Sequence, residues 1–346
     1  MNFCMIHKHT SPLSVETEQA VNSFIQTHPY ATIFQSPAYF HFYLTQPRFR
    51  PVYLISWNTK GNVDAVLLAV VISESSGLTK YVSSRCVVYG GPLIARDQTD
   101  LLNKMLLTLH KVVNRSAIFT QFRNFRSWDS EANAVFQRFG YLLRDRLNLI
   151  VPLSNQKALL KGFSASRRRQ LKKAIHAGAT VRTATSLNEV HELYGMLHQL
   201  YRKKVKKPLP PLSFFEEFFN QMVPAQNGII LLVYAHETMI GGIVSPITPG
   251  HTISELYVCG LDKSYPEYYP SVVATWAAME YGMKNNIQYF DFMGLGKPEI
   301  AYGVRDFKLR FGGTQVNHGR FARRNNKILY TIAEVGYNIL RTLKKI

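Results

Sequence analysis

The chain has 346 residues, 46% of them hydrophobic and 18% charged, a globular composition long enough for two ordinary domains and unlike a disordered polyelectrolyte. Lys and Arg number 41 against 22 Asp and Glu, a formal charge of +19. That excess predicts attraction to polyanions: RNA, phosphate-bearing small molecules such as nucleotides or coenzyme A, or an anionic membrane surface. Cys4, Cys86 and Cys259 lie far apart without C-x-x-C spacing, which argues against a disulfide framework or a zinc site and for a reducing compartment. His7 and His9 read as a solvated end, so no metal site is expected. Without an apolar h-region near the start, or a window of the roughly 18–20 apolar residues that span a bilayer, a cytoplasmic protein is expected.

In chain order, the apolar segments Pro51–Trp57 and Asp64–Ser73 flank the polar turn "NTKGN" and predict a hairpin. Arg85–Ile94 predicts a third strand running into Gly-Gly-Pro. Leu102, Met105, Leu106 and Leu109 share helical spacing and predict a helix over Leu101–Asn114. A strand at Ala117–Arg123, a short helix ending at Gly140 and the strand "RLNLIVPL" close this half.

The second half has the same order. "GIILLVYA" and "MIGGIVSPIT" flank a turn, Thr252–Leu261 is a third strand, Pro270–Asn286 a helix and Ile287–Gly294 a strand. "VRDFKLRFGG" then matches "NAVFQRFGY". The two copies are offset by roughly 170 residues, the mark of a duplication. Between them Asn155–Gly178 is helical in pattern and carries Arg167, Arg168, Arg169, Lys172 and Lys173, a charge suited to phosphates. A second basic cluster, Arg202, Lys203, Lys204, Lys206 and Lys207, precedes the Pro-broken "PLPP" loop. The tail carries Ile328, Leu329, Ile332, Val335, Ile339, Leu340 and Leu343 at helical spacing, suited to its own domain or to an anionic membrane. The expected division is 1–153, a basic linking helix over 154–180, a second domain over 181–322 and a basic amphipathic helix over 323–346.

Four segments, "ATIFQSPAYF" (Ala31–Phe40), "SRRRQLKKAIHAGATV" (Ser166–Val181), Tyr268–Gly294 and "FKLRFGG" (Phe307–Gly313), together resemble the FemABX peptidyltransferases and the related FemAB-like acyltransferases of the GNAT superfamily. The resemblance runs from about Ala31 to about Phe321. It implies an α/β fold, a tandem duplication of GNAT-like domains with mixed, largely antiparallel sheets, with the C-terminal copy catalytic. It also implies transfer of an aminoacyl group from charged tRNA, or an acyl group from coenzyme A, onto an amine, with no tightly bound cofactor. By motif match, Lys308 is expected to stabilise the oxyanion or the leaving oxygen, and the Phe307 carbonyl to orient the attacking amine. A desolvated ammonium aimed at a developing oxyanion suits that chemistry.

Attack by a free amine also needs a proton acceptor. Asp291 and Glu255 are the acidic residues nearest the expected site. Asp291 is grouped with the catalytic residues, and Glu255, Tyr257, Arg305 and Arg167–Arg169 with substrate binding. Gly294 and Gly296 do not form G-x-G-x-x-G, so a dinucleotide site is not expected. Two features depart from the family. No lysine follows "FQS", where Tyr43 stands instead, which argues against a nucleotide-linked muropeptide acceptor. "RFGGT" is only a faint echo of a coenzyme A pyrophosphate loop, which leaves the donor open. Three readings follow: an aminoacyl or acyl transferase acting on a cell-envelope precursor, lipid-linked in one version; an acetyl-CoA-dependent N-acetyltransferase acting on a sugar, lipid or amino acid; and a non-catalytic RNA- or membrane-binding module.

Overall fold

The computed structural model describes residues 5–73, 83–95, 99–205, 208–301 and 303–343, with side chains through 336 in the last helix. In chain order the elements begin β1 (Met5–His9), α1 (Val15–Thr27), α2 (Pro37–Leu44), β2 (Phe49–Trp57), β3 (Val63–Ser73), β4 (Ser84–Tyr89) and β5 (Leu93–Ile94). Next come α3 (Thr99–Val113), β6 (Phe119–Arg123), α4 (Ser130–Arg138), β7 (Leu142–Arg144) and β8 (Leu147–Pro152). The middle holds α5 (Gln156–Gly162), α6 (Ala165–His176), β9 (Ala179–Thr183), α7 (Leu187–Leu200), α8 (Leu212–Glu217), β10 (Gly228–Ala235) and β11 (Thr238–Thr248). Then follow β12 (Thr252–Ser254), β13 (Tyr257–Gly260), α9 (Pro270–Lys284), β14 (Tyr289–Asp291), α10 (Gly303–Leu309) and β15 (Thr314–Asn317). β16 (Arg320–Arg324) and α11 (Lys327–Leu343) come last.

The chain divides into two compact units, Met1–Asp145 with His318–Ile346, and Arg146–Asn317. In the first, the sheet order is β1-β2-β3-β4-β6-β16-β7, with β5 added on β3. In the second it is β9-β10-β11-β12-β14-β8-β15, with β13 added on β11. Each sheet is antiparallel apart from one parallel pair, β4 with β6 and β12 with β14. The repeated order is the expected duplication of one α/β plan with mixed, largely antiparallel sheets.

Local chemistry explains the hairpins. Asn58 Oδ1 accepts hydrogen bonds from the backbone of Lys60 (2.9 Å) and Asn62 (3.1 Å), and Gly61 takes φ +76°, so "NTKGN" closes as an Asx-type turn. β3 is buried from Val63 through Val71 and β10 along its whole length, which is why both read as continuous apolar runs. The first core packs β3 and β4 against Leu102, Met105, Leu106 and Leu109 of α3. The second packs β10 and β11 against Val272, Val273, Trp276 and Met279 of α9.

Several elements differ from expectation. "RLNLIVPL" does not close the first half. It lies in the second sheet, with Val151 opposite Phe290 and Leu149 opposite Gln315, while β16 takes the matching place in the first. Leu149 and Val151 are buried in the second core. The compact unit therefore begins at Arg146, where a boundary near residue 153 was expected. The linking helix is two helices, because Ser164 Oγ accepts the Arg167 N–H (3.2 Å) and caps a new start at Ala165. The third strand of the second half breaks at Glu255–Leu256 into β12 and β13, and the strand after α9 shortens to Tyr289–Asp291. Lys206 and Lys207 lie outside the described residues.

Candidate active site

The parallel pair β12/β14 stops early. Its last register pair is Ser254 with Asp291, and its last hydrogen bond runs from the Glu255 N–H to the Asp291 carbonyl (2.8 Å). Beyond that point the Leu256 N–H turns to the Val244 carbonyl (3.1 Å) and β13 continues along β11. After Asp291 the chain enters the left-handed region at Met293 (φ +57°), and Gly294 and Gly296 also take positive φ (+132° and +86°). The two strands thus part at a point flanked by two carboxylates and two turned carbonyls.

Lys308, in the last turn of α10, supplies the cation. It is 9% exposed. Its Nζ donates to the Phe292 carbonyl (2.7 Å) and the Gly294 carbonyl (3.2 Å), and lies 3.0 Å from Glu255 Oε1. Those contacts use all three donors of an ammonium. The Phe292 ring adds a face 5.4 Å from the nitrogen. Glu255 is 4% exposed, and its Oε2 accepts from the Thr275 hydroxyl on α9 (3.3 Å). A buried ion pair of this kind persists only where further hydrogen bonds satisfy both ions, and both are satisfied here.

Asp291 Oδ1 accepts from Asn148 Nδ2 on β8 (2.7 Å) and from the Met293 N–H (2.6 Å). Burial nonetheless raises its pKa above the ordinary carboxylate value, and the nearby Glu255 charge adds to the rise, while the two hydrogen bonds and Lys308 oppose it. The cluster therefore contains an ammonium, a carboxylate paired with it, and a second carboxyl that holds its proton more tightly than usual.

The glycines after Lys308 have a steric cause. Gly312 and Gly313 take φ +71° and +92°. A Cβ at Gly312 would stand 2.4 Å from the Gly162 carbonyl oxygen, and one at Gly313 would stand 2.5 Å from that of Ile150. The sharp turn after Phe311 presses α10 against the segment leading into α6. From α6, Arg167 reaches back. It is 1% exposed, lies 4.3 Å from each of the Phe307 and Phe311 rings, and donates to the Phe307 carbonyl (2.7 Å) and to Gln170 Oε1 (2.8 Å). Its Nε has no acceptor, and burial, with Arg310 nearby, brings its pKa down to about 10.

The structure thus brings Lys308, Glu255 and Asp291 together, with Phe307 on the same helix and Arg167 packed on it. The remaining candidates have other surroundings. Arg168 donates to the carbonyls ending α5, those of Leu160 (3.4 Å), Lys161 (3.4 Å) and Phe163. Arg169, Lys172 and Lys173 are exposed on α6. Tyr257 packs beside Phe215 at 5.1 Å, with Phe214 and Tyr201 each at 6.1 Å. Arg305 donates to the carbonyls of Leu295, Pro298, Ile300 and Lys297, and so clamps the loop that follows β14. Sequence reasoning missed Thr275, Asn148 and the two carbonyls on Lys308. Asn148, the lone amide in an apolar strand, was the only visible signal among them.

A family model described as an acetyltransferase (GNAT) domain matches residues 162–309, the stretch holding Glu255, Asp291 and Lys308. Among solved structures the chain is similar to FemX, with a TM-score of 0.69 at 14% identity over 94% of this chain and 99% of that one. It is also similar to a tandem GNAT protein from the clavulanic acid biosynthesis pathway (TM-score 0.58, 11% identity, 93% and 99% covered). L-PGS from Bacillus licheniformis aligns with a TM-score of 0.56 at 14% identity, over 93% and 96% of the two chains. No curated protein matches the chain in sequence.

Proposed function

We propose that this chain, a GNAT-superfamily acyltransferase of FemAB-like fold, moves an activated acyl or aminoacyl group onto the amine of a cell-envelope precursor, with Arg146–Asn317 as the catalytic unit. The observation that carries this reading is the buried Lys308 ammonium at the point where β12 and β14 part. When an amine attacks an ester or thioester, negative charge grows on the carbonyl oxygen. A fixed ammonium in a water-poor site stabilises it. Because the Phe292 and Gly294 carbonyls and Glu255 already take all three donors, the oxyanion replaces one carbonyl as acceptor. Glu255 stays as counter-ion.

The attacking nitrogen must lose a proton. Asp291, with its raised pKa, is suited to take it and to return it to the departing oxygen or sulfur. A C–N bond forms, the C–O or C–S bond breaks, and the proton ends on the leaving group. The Phe307 carbonyl accepts one hydrogen bond from Arg167, which leaves a second lone pair to orient the amine. Arg169, Lys172 and Lys173, exposed along α6, are suited to phosphates of charged tRNA or of coenzyme A.

Acetyl-CoA-dependent N-acetylation of a sugar, lipid or amino acid is the second reading, favoured by the acetyltransferase domain match over residues 162–309. The purified chain is incubated with amine acceptors and either charged tRNA or acetyl-CoA. Label incorporation abolished by ribonuclease supports tRNA as donor, and release of free thiol supports the thioester. Polyanion binding without turnover from either donor would overturn acyl transfer.

A further inference from the structure

Through residue 336, where its side chains are described, the last helix has two apolar faces, and one of them lies open. Its start is well anchored. Asn325 Nδ2 donates to the Ala117 carbonyl (3.0 Å) and to Thr120 Oγ1 (2.9 Å), and Asn326 Oδ1 accepts the Leu329 N–H (2.9 Å). The Tyr330 ring sits edge-on to Phe119 at 5.7 Å, with the Arg324 guanidinium 4.4 Å from its centre. Leu329, Tyr330 and Ala333 are accordingly half-buried. Ile328, Ile332 and Val335, spaced four and three residues apart on one helix face, are 73%, 55% and 53% exposed. Three branched aliphatic side chains in a row gain nothing from water.

The charge around this face indicates what covers it. From Arg320 to the end of the chain there are seven basic residues and one acid, Glu334, which lies 3.8 Å from Arg324. A second copy would bring two such basic segments together, so like-charge repulsion argues against a dimer here. Nor is any described helix long and apolar enough to cross a membrane. An aliphatic stripe flanked by Lys and Arg is instead the composition of a helix that lies in the plane of an anionic bilayer.

We propose that Lys327–Leu343 is an interfacial helix that beds Ile328, Ile332 and Val335 into the surface of an anionic membrane while Tyr330 holds it to its own unit. The inference stands apart from the acyl-transfer reading, because it is tested by binding and not by turnover.

The test is co-sedimentation of the full chain with vesicles of phosphatidylcholine alone or mixed with phosphatidylglycerol. The native chain is expected to bind the anionic vesicles and to release them as salt rises. Replacing Ile328, Ile332 and Val335 together by Ser is expected to weaken partition by about tenfold or more, with the circular dichroism and melting midpoint unchanged because these side chains are exposed. Replacing Arg341, Lys344 and Lys345 by Gln is expected to remove the preference for phosphatidylglycerol. Equal partition of native chain and Ser variant would overturn the proposal, as would no binding to either vesicle. Self-association in solution that the Ser variant abolishes would also overturn it, by assigning the face to a second copy.

Discussion

The two units put opposite chemistry at one place in a shared plan. In each, a short helix follows the parallel strand and ends just before a Phe-Gly pair, Phe139–Gly140 or Phe311–Gly312. Three residues before that Phe stands Phe136 in the first unit and Lys308 in the second. Phe136 is buried, stacked on Phe321 at 4.0 Å and edge-on to Phe122 at 5.1 Å, Trp128 at 5.3 Å and Tyr141 at 5.7 Å. Lys308 is buried against a carboxylate and two carbonyls. The fold is thus satisfied by an aromatic core at this site, and nothing in its stability demands an ion pair. The first unit also has a cleft of about 810 Å³, lined by Tyr30, Arg126 and Trp128 among others, but no lysine–carboxylate pair is described there. Charge in the second unit is the feature that the proposed acyl transfer would use.

Exchanging the residues attacks this comparison most severely. Phe136→Lys places an ammonium among aromatic rings with no carboxylate, and is expected to cost at least about 5 kcal/mol, from lost packing and an unpaired charge together. Failure of the chain to fold, or a collapsed melting midpoint, is the expected result. A stable Phe136→Lys chain would mean that the two sites differ less than their cores suggest.

Glu255→Gln comes next. Removing one partner of a buried pair leaves the Lys308 charge with carbonyls only, and the expected loss is about 3–5 kcal/mol, read by urea denaturation. A change below about 1 kcal/mol would mean that water already compensates the ammonium.

Asp291→Asn tests the electrostatics more gently, because an amide oxygen can still accept from Asn148 and Met293. Burial raises the Asp291 pKa above its ordinary 3.8, so the folded chain binds this proton more tightly than the unfolded chain does. Stability from this group is therefore full at low pH and falls as pH climbs from about 3.8 through the folded value. As pH rises from about 3.8, the melting midpoint of Asp291→Asn is therefore expected to gain on that of the native chain, which alone loses this contribution. Superimposed slopes would contradict the raised pKa.

The smallest effect is expected from Arg169, Lys172 and Lys173, all exposed on α6. Replacing them by Ala is expected to leave stability unchanged and to reduce the salt dependence of polyanion binding, by about one unit of slope for each phosphate no longer neutralised. Identical slopes would make α6 a solvated face.

Much of this plan was legible in the amino-acid order. Continuous apolar runs and the Asn58 turn marked the hairpins, helical spacing marked α3, and the roughly 170-residue offset marked the duplication. The exchange of β8 and β16 was not legible, because Leu147, Leu149 and Val151 alternate in a way that suits an interior place in either sheet. Nor was the break at Glu255. "TISELYV" reads as one strand until the Leu256 N–H is seen turning to Val244. At the site, Lys308, Glu255 and Asp291 were named from residue type and motif, but the Lys308–Glu255 pair and the two carbonyls that accept from Lys308 depend on backbone conformation around Met293 and Gly294, which no spacing rule encodes. Arg167 shows the opposite failure. A triple arginine reads as one charged face, yet helical geometry turns its first member inward onto Phe307 and Phe311 while Arg168 and Arg169 stay exposed.

Single-turnover acyl transfer by the double variant Lys308→Met, Glu255→Gln is the most direct test of the central claim. Methionine keeps the length and apolar stem of lysine, and glutamine still accepts from Thr275, so both charges leave together and neither is stranded. The expected chain still folds, melting below the native one because the Phe292 and Gly294 carbonyls lose their donor, and transfers about 10²-fold more slowly. A double variant that folds and transfers at the native rate would contradict it.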